Sequence, residues 1–194
     1  MIFISTGFVF TGDKNHRGPY GEKINPRLGD ESLRGIYATS KLEGEEVIKT
    51  VLSEDFAIVR IDFPFGNKNF PHKDYALKIL SFIKTGGKLY NDQNITPTYI
   101  PDLIRAIKII ATNRLNGIFH VATQDLTTTT PYDFGKLILE KQGVLYQVES
   151  SKFPDSVLMP KFGGLDAKNT QEILGINFKS SNEAVGEFVY DLNF

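Results

Sequence analysis

Cysteine is absent from the 194 residues, which excludes disulfides, iron–sulfur clusters, thiolate zinc sites and a cysteine nucleophile. Histidine is almost as scarce. His16, His72 and His120 are too scattered to form an obvious metal site, so no metal is expected. Neither charge sign dominates, and the net charge of −1 gives no electrostatic reason to expect nucleic acid or an anionic membrane as partner. No apolar run reaches the ~20 residues that span a bilayer. The opening MIFISTGFVF is apolar, but no Lys or Arg precedes Lys14, so it lacks the basic start of an export signal. Together with the missing cysteine, this fits a cytoplasmic protein. Glycine is plentiful, yet no G-x-x-G-x-x-G or G-x-G-x-x-G occurs. Gly86-Gly87-Lys88 has neither the spacing nor the following Ser or Thr of a phosphate loop.

What is present is an ordinary foldable composition, 41% hydrophobic and 23% charged. Short continuous apolar blocks at residues 2–5, 56–62 and 117–121 predict strands buried on both faces of a parallel sheet. Helical spacing predicts helices over residues 38–52, 75–84, 100–112, 130–141 and 182–190. In the first of these, Leu42, Val47, Val51 and Leu52 are read as the apolar side, and Glu43, Glu45 and Glu46 as a solvated face paired to Lys49. Pro101 suits a first helical position, and Thr130 with Asp133 reads as a capping box. Alternation of strands and helices implies βαβ units. The alternation gives the class α/β; the resemblance described below implies a partial Rossmann-like parallel sheet with helices, plus a small mixed substrate-binding lobe. Residues 1–66 would form the carboxyl-terminal part of the Rossmann-like domain. Residues 67–194 would supply the substrate lobe and the remaining sheet elements. Two long polar loops, 11–36 and 67–74, interrupt the pattern, and loops of that kind are usually functional.

Tyr37 and Lys41 stand four residues apart at a helix start, so their side chains share one face. An ammonium near a phenol favours the phenolate, and such a pair can exchange a proton with a carbonyl or alcohol oxygen. Ser5 and Thr6 end the first strand, and in open α/β sheets ligands bind at the carboxyl ends of strands. His120 reads as a structural strand histidine. Asp102 and Asp166 read as helix-start or turn residues, and Thr127–Thr130 as a polar loop leading into a capped helix.

The order of motifs along the chain is more specific than any one of them. Ser5-Thr6-x-x-Val9-Phe10-x-Gly12 is followed by Gly18-Pro19-Tyr20 with Glu22, then Tyr37-x-x-x-Lys41-x-x-Gly44-Glu45. Val59-Arg60 closing on Phe65-Gly66 comes next, then Asp92-Gln93, Thr96-Pro97-Thr98-Tyr99 and Asp102-Leu103. Gly117-Ile118-Phe119-His120, Pro160, Leu165-Asp166, Thr170 and Leu174-Gly175 complete the series. The sequence resembles an extended short-chain dehydrogenase/reductase, and within that superfamily the dTDP-4-dehydrorhamnose reductase group.

The resemblance implies an NAD(P)-dependent oxidoreductase acting on a 4-keto nucleotide sugar, as in dTDP-rhamnose biosynthesis. It implies that Tyr37 is the general acid at the sugar carbonyl, that Lys41 holds the nicotinamide ribose and lowers the Tyr37 pKa, and that Thr6 hydrogen-bonds the same oxygen. Tyr37 and Lys41 are thereby the implied cofactor-binding residues for NADP or NAD. Phe63, Asn69 and Thr98 are the implied substrate-binding residues. Three departures stand out. Gly7 occupies a position that is usually acidic, Met159 replaces an arginine, and Phe8 stands where dehydratases carry a glutamate, which disfavours dehydration. The missing glycine-rich turn implies that the amino-terminal half of the cofactor domain lies outside this sequence. A truncated form is one expectation. A homo-oligomer, or a partner covering an exposed sheet, is another. A non-catalytic subunit similar to the regulatory subunit of methionine adenosyltransferase is the alternative function.

Overall fold

The computed structural model describes residues 1–67, 74–125, 127–144 and 147–192. Three parallel strands form the central sheet: β1 (Ile2–Thr6), β2 (Ala57–Ile61) and β4 (Gly117–Val121), in the order β1-β2-β4. Their register pairs Thr6 with Ile61 and Arg60 with His120. Between them run α1 (Ile36–Leu52), α2 (Tyr75–Lys84), the short β3 (Leu89–Tyr90) and α3 (Ile100–Thr112). After β4 come α4 (Pro131–Lys141), β5 (Ser150–Ser151), α5 (Lys168–Leu174) and α6 (Ser181–Leu192). β3 and β5 pair in parallel as a separate two-stranded ribbon. The α/β reading with a parallel sheet is therefore what the chain adopts.

Ala57, Ile58 and Val59 of β2 are buried, as a strand covered on both faces must be. One apolar cluster gathers Val59, Phe119, Val121, Leu42, Ala106 and Ile110 around the sheet. A second lies under α2, α4 and α6, with Phe65, Ile79, Phe134, Ile138 and Phe188. Thr130 caps α4 by accepting the Asp133 N–H at 3.1 Å, and Pro131 sits at the first position. The Gly175 φ of +63° ends α5 in the left-handed region, where a Cβ is disfavoured.

Helix α1 departs from the expected face. Its buried residues are Ala38, Leu42, Glu45 and Ile48, a single helical stripe, whereas Val47 and Val51 are exposed. At 100° per residue, Val47 and Val51 point well away from Leu42, so only one of the two sets can meet the sheet. Glu45 is not solvated either. It is fully buried and pairs with Arg60 of β2 at 2.6 Å. No helix among the described residues is long and apolar enough to cross a membrane.

Candidate active site

At the carboxyl end of the sheet, the strand ends and the start of α1 enclose a cavity of about 790 Å³. Thr6, Phe8, Tyr37, Lys41, Phe63 and Met159 are among its lining residues. Thr6 is placed by β1, and its hydroxyl accepts the Phe8 N–H at 3.2 Å, which starts a 3₁₀ turn over Gly7–Val9. Tyr37 and Lys41 sit one turn apart on α1, each facing the cavity. The Lys41 ammonium donates to the Ile4 carbonyl at 2.9 Å and lies 5.0 Å from the Phe3 ring. The Tyr37 ring makes an edge contact with Phe8 at 6.3 Å, and 56% of the residue is exposed.

Phe63 stands between Phe8 and Tyr75, at centroid distances of 5.4 and 4.7 Å. Its φ of +45° is a costly conformation for a non-glycine residue, and it turns the chain out of β2 at the cavity rim. Thr98 is not among the residues that line the cavity. It is fully buried, donates to the Val121 carbonyl at 2.6 Å and accepts the Asp62 N–H at 3.0 Å. Asn69 lies outside the described residues. Two smaller cavities, of about 400 and 550 Å³, adjoin this one, and Met159 lines all three.

Sequence reasoning missed Asp62, the residue directly after β2. Its carboxyl is buried and no ion pair among the described residues involves it. One oxygen, Oδ1, accepts the Gly7 N–H at 2.9 Å and the Thr6 hydroxyl at 3.3 Å. Burial pushes its pKa up to about 7, against the lowering effect of those two hydrogen bonds. A Cβ on Gly7 would lie 2.2 Å from Asp62 Oδ2, so glycine is what admits the carboxyl. The departure at position 7 thus has a counterpart: the acidic group reaches this space from the neighbouring strand. The signal available beforehand was a lone acidic residue closing an apolar strand, but only the Thr6–Ile61 register brings it to Gly7.

Behind the cavity, α1 is fastened to the sheet by a buried network. Arg60 makes two hydrogen bonds to Glu45, at 2.9 and 2.6 Å, and Ser5 donates to Glu45 at 2.6 Å. His120 contacts Arg60 through Nε2 at 3.4 Å and the Asp166 carbonyl through Nδ1 at 3.2 Å. A guanidinium can only donate and a carbonyl only accept, so the ring is neutral with its proton on Nδ1. Burial and the Arg60 charge hold its pKa down at about 3. These roles are structural, as read for His120.

The loop over residues 11–36 is organised around Asp13. Burial opposes ionisation there, but the N–H groups of Asp30, Asn15 and His16 and the Thr11 hydroxyl hold its carboxyl below the usual range. Tyr20 stacks on Phe10 at 4.1 Å, and Glu22 accepts from Thr170 of α5, so the loop is packed onto α5 and the sheet core. Asp102 accepts the Lys179 N–H and Asp166 accepts the Lys168 N–H, each at a helix start. Among the described residues, no group of three or more acidic or histidine side chains is placed to hold a metal ion.

The family model for the RmlD substrate binding domain matches residues 1–194. The dTDP-4-dehydrorhamnose reductase of Mycobacterium tuberculosis H37Rv is 26% identical over 175 residues, covering 87% of this chain and 55% of its own length. A dTDP-4-keto-6-deoxy-D-glucose reductase from Streptomyces niveus is 26% identical over 168 residues, covering 84% of this chain and 54% of its own. The chain therefore spans about half the length of the curated relatives it matches. Among solved structures, a dTDP-4-dehydrorhamnose reductase from Clostridium acetobutylicum superposes with a TM-score of 0.83 at 24% identity, covering all of this chain and 66% of its own. A Bacillus anthracis dTDP-4-dehydrorhamnose reductase in complex with NADP gives 0.79 at 24% identity, covering 98% of this chain and 65% of its own.

Proposed function

The chain belongs to the RmlD substrate binding domain family, and on that premise we propose that it carries the substrate-binding and proton-donating part of an NADP-dependent reductase of 4-keto nucleotide sugars. The observation that carries this reading is the convergence of Thr6, Tyr37 and Lys41 on one cavity of about 790 Å³. The three come from two separate segments, a strand end and a helix start, and the remaining wall is largely apolar.

In this reading, the Tyr37 phenol donates its proton to the sugar carbonyl oxygen as that oxygen gains negative charge. The Thr6 hydroxyl offers a second hydrogen bond to the same atom, and the Lys41 ammonium supplies a fixed positive field beside it. Phe63 and Met159 present apolar surface that keeps water from the reacting carbon. NADP, when bound, supplies the hydride. The residues present fit one end of that cofactor: the Tyr37 hydroxyl and Lys41 ammonium would hold its nicotinamide ribose. No glycine-rich turn in this sequence is available to cradle the pyrophosphate. Among the described residues no strand pairs with the outer edge of β1, and a cofactor-binding half, in the same or another polypeptide, would extend the sheet there.

Titration of dTDP into the purified chain, followed by NMR, tests the substrate side. Shifts gathered at Phe63, Met159 and Phe153 are expected. A titration that moves no residue of the three adjoining cavities contradicts the proposal.

A further inference from the structure

We propose that Asp62 is a positioning residue that sets the direction of the Thr6 hydroxyl proton, and so decides whether Thr6 shows the cavity a donor or an acceptor. The inference rests on the reading of Thr6 as a group that meets the substrate oxygen.

A threonine hydroxyl has one proton and two lone pairs. One lone pair is committed to the Phe8 N–H at 3.2 Å. With Asp62 ionised, the Thr6 proton points to Asp62 Oδ1, 3.3 Å away, and the remaining lone pair faces the cavity. Thr6 is then an acceptor, suited to the O–H of an alcohol. With a proton on Oδ1, the bond reverses. Asp62 donates to Thr6 while still accepting the Gly7 N–H at 2.9 Å, and the Thr6 proton is released toward the cavity. Thr6 is then a donor, suited to a carbonyl oxygen. The protonated form fits a ketone and the ionised form fits the alcohol made from it.

Among the described residues, no second titratable side chain shares this proton with Asp62. From β1 and its 3₁₀ turn only Thr6 and the Gly7 amide reach the carboxyl. The segment 96–99 meets its main chain through Thr98. On the same face of β2, Arg60 is held by Glu45 and His120, and from α1 the Lys41 ammonium is held by the Ile4 carbonyl while Tyr37 packs on Phe8. Burial without a cation places the Asp62 pKa at about 7, so both forms are accessible near neutrality.

The test is a carbon-13 NMR titration of the Asp62 carboxyl in the purified chain, with the Gly7 and Phe8 amides followed in the same samples. A carboxyl midpoint near neutral pH, shared by the Phe8 amide, is expected. A Thr6→Val variant should raise that midpoint and disconnect Phe8 from it. With the cofactor-binding half, NADPH and dTDP-4-dehydrorhamnose present, KM for the ketone should rise about tenfold per pH unit above the midpoint. Asp62→Asn, whose Oδ1 keeps Thr6 as an acceptor, should fix KM at the high value across pH. An Asp62 carboxyl that stays ionised down to pH 5, or a Phe8 amide that ignores its titration, overturns the inference. Inactivity with the cofactor-binding half present, in a chain whose Asp62 and Phe8 still titrate together, overturns the reductase reading and leaves the proton coupling standing.

Discussion

Arg60 and Glu45 grip one another through two hydrogen bonds, at 2.9 and 2.6 Å, with both side chains closed off from solvent. The pair joins the middle strand of the sheet to the helix that carries Tyr37 and Lys41. A bidentate guanidinium–carboxylate pair fixes orientation as well as distance, so the helix cannot slide or rotate without breaking it.

Removing one partner should be far worse than removing both. Glu45→Ala leaves the Arg60 charge buried and unpaired, and is expected to cost ~3–5 kcal/mol in urea unfolding. The double replacement Glu45→Leu with Arg60→Met should recover most of that loss. Equal destabilisation in the single and double variants would show that the pair is not a coupled unit.

Two buried groups give the stability opposite pH slopes. The Asp62 pKa is raised from 3.8 to about 7, so its contribution is full below about pH 4 and is lost as pH climbs through 7. The His120 pKa is lowered from 6.5 to about 3, so its contribution is present above pH 6.5 and is lost as pH falls toward 3. Between those limits the two slopes largely cancel in the native sequence. Unfolding measured from pH 4 to pH 6.5 should therefore be nearly flat for the native sequence, fall with acid in Asp62→Asn, and rise with acid in His120→Gln. A tenfold change in proton affinity is worth ~1.4 kcal/mol, so each group changes the stability by a few kcal/mol across that range.

Gly7→Ala should be destabilising for one identifiable reason. Its Cβ would approach Asp62 Oδ2 to 2.2 Å, and the carboxyl is buried with nowhere to retreat. Overpacking of this kind costs ~1–3 kcal/mol. Combining it with Asp62→Ser should restore stability, and thermal unfolding of the four members of the cycle measures the coupling. Additive effects would contradict the contact.

Tyr37→Phe should leave stability unchanged, because the residue is 56% exposed and its hydroxyl serves no buried partner. Surface changes of this type stay within about 0.5 kcal/mol. Chemical denaturation of the variant should overlay that of the native chain.

Short continuous apolar blocks located three sheet strands and the period-3.6 signal five helices, because those elements bury regular apolar faces. β3 and β5 escaped, being two residues each, and so did α5, whose seven residues are too few to show a helical period. Glu45 was legible as helix but not as core: its partner is 15 residues away on a strand, and only the register of α1 over β2 reveals that a charge is buried there. Thr6, Tyr37 and Lys41 were readable from spacing and motif order. Asp62 was not, since its proximity to Thr6 arises across 56 residues, and the space that admits it is created by an absent side chain at Gly7.

The central claim is that Tyr37 donates the proton in reduction of a 4-keto nucleotide sugar. The direct measurement is NADPH consumption with dTDP-4-dehydrorhamnose by the chain together with its cofactor-binding half, comparing the native sequence with Tyr37→Phe. Loss of a general acid predicts a rate at least ~10²-fold lower in the variant. No consumption by the native sequence with that half present, or an unchanged rate in Tyr37→Phe, would contradict the account.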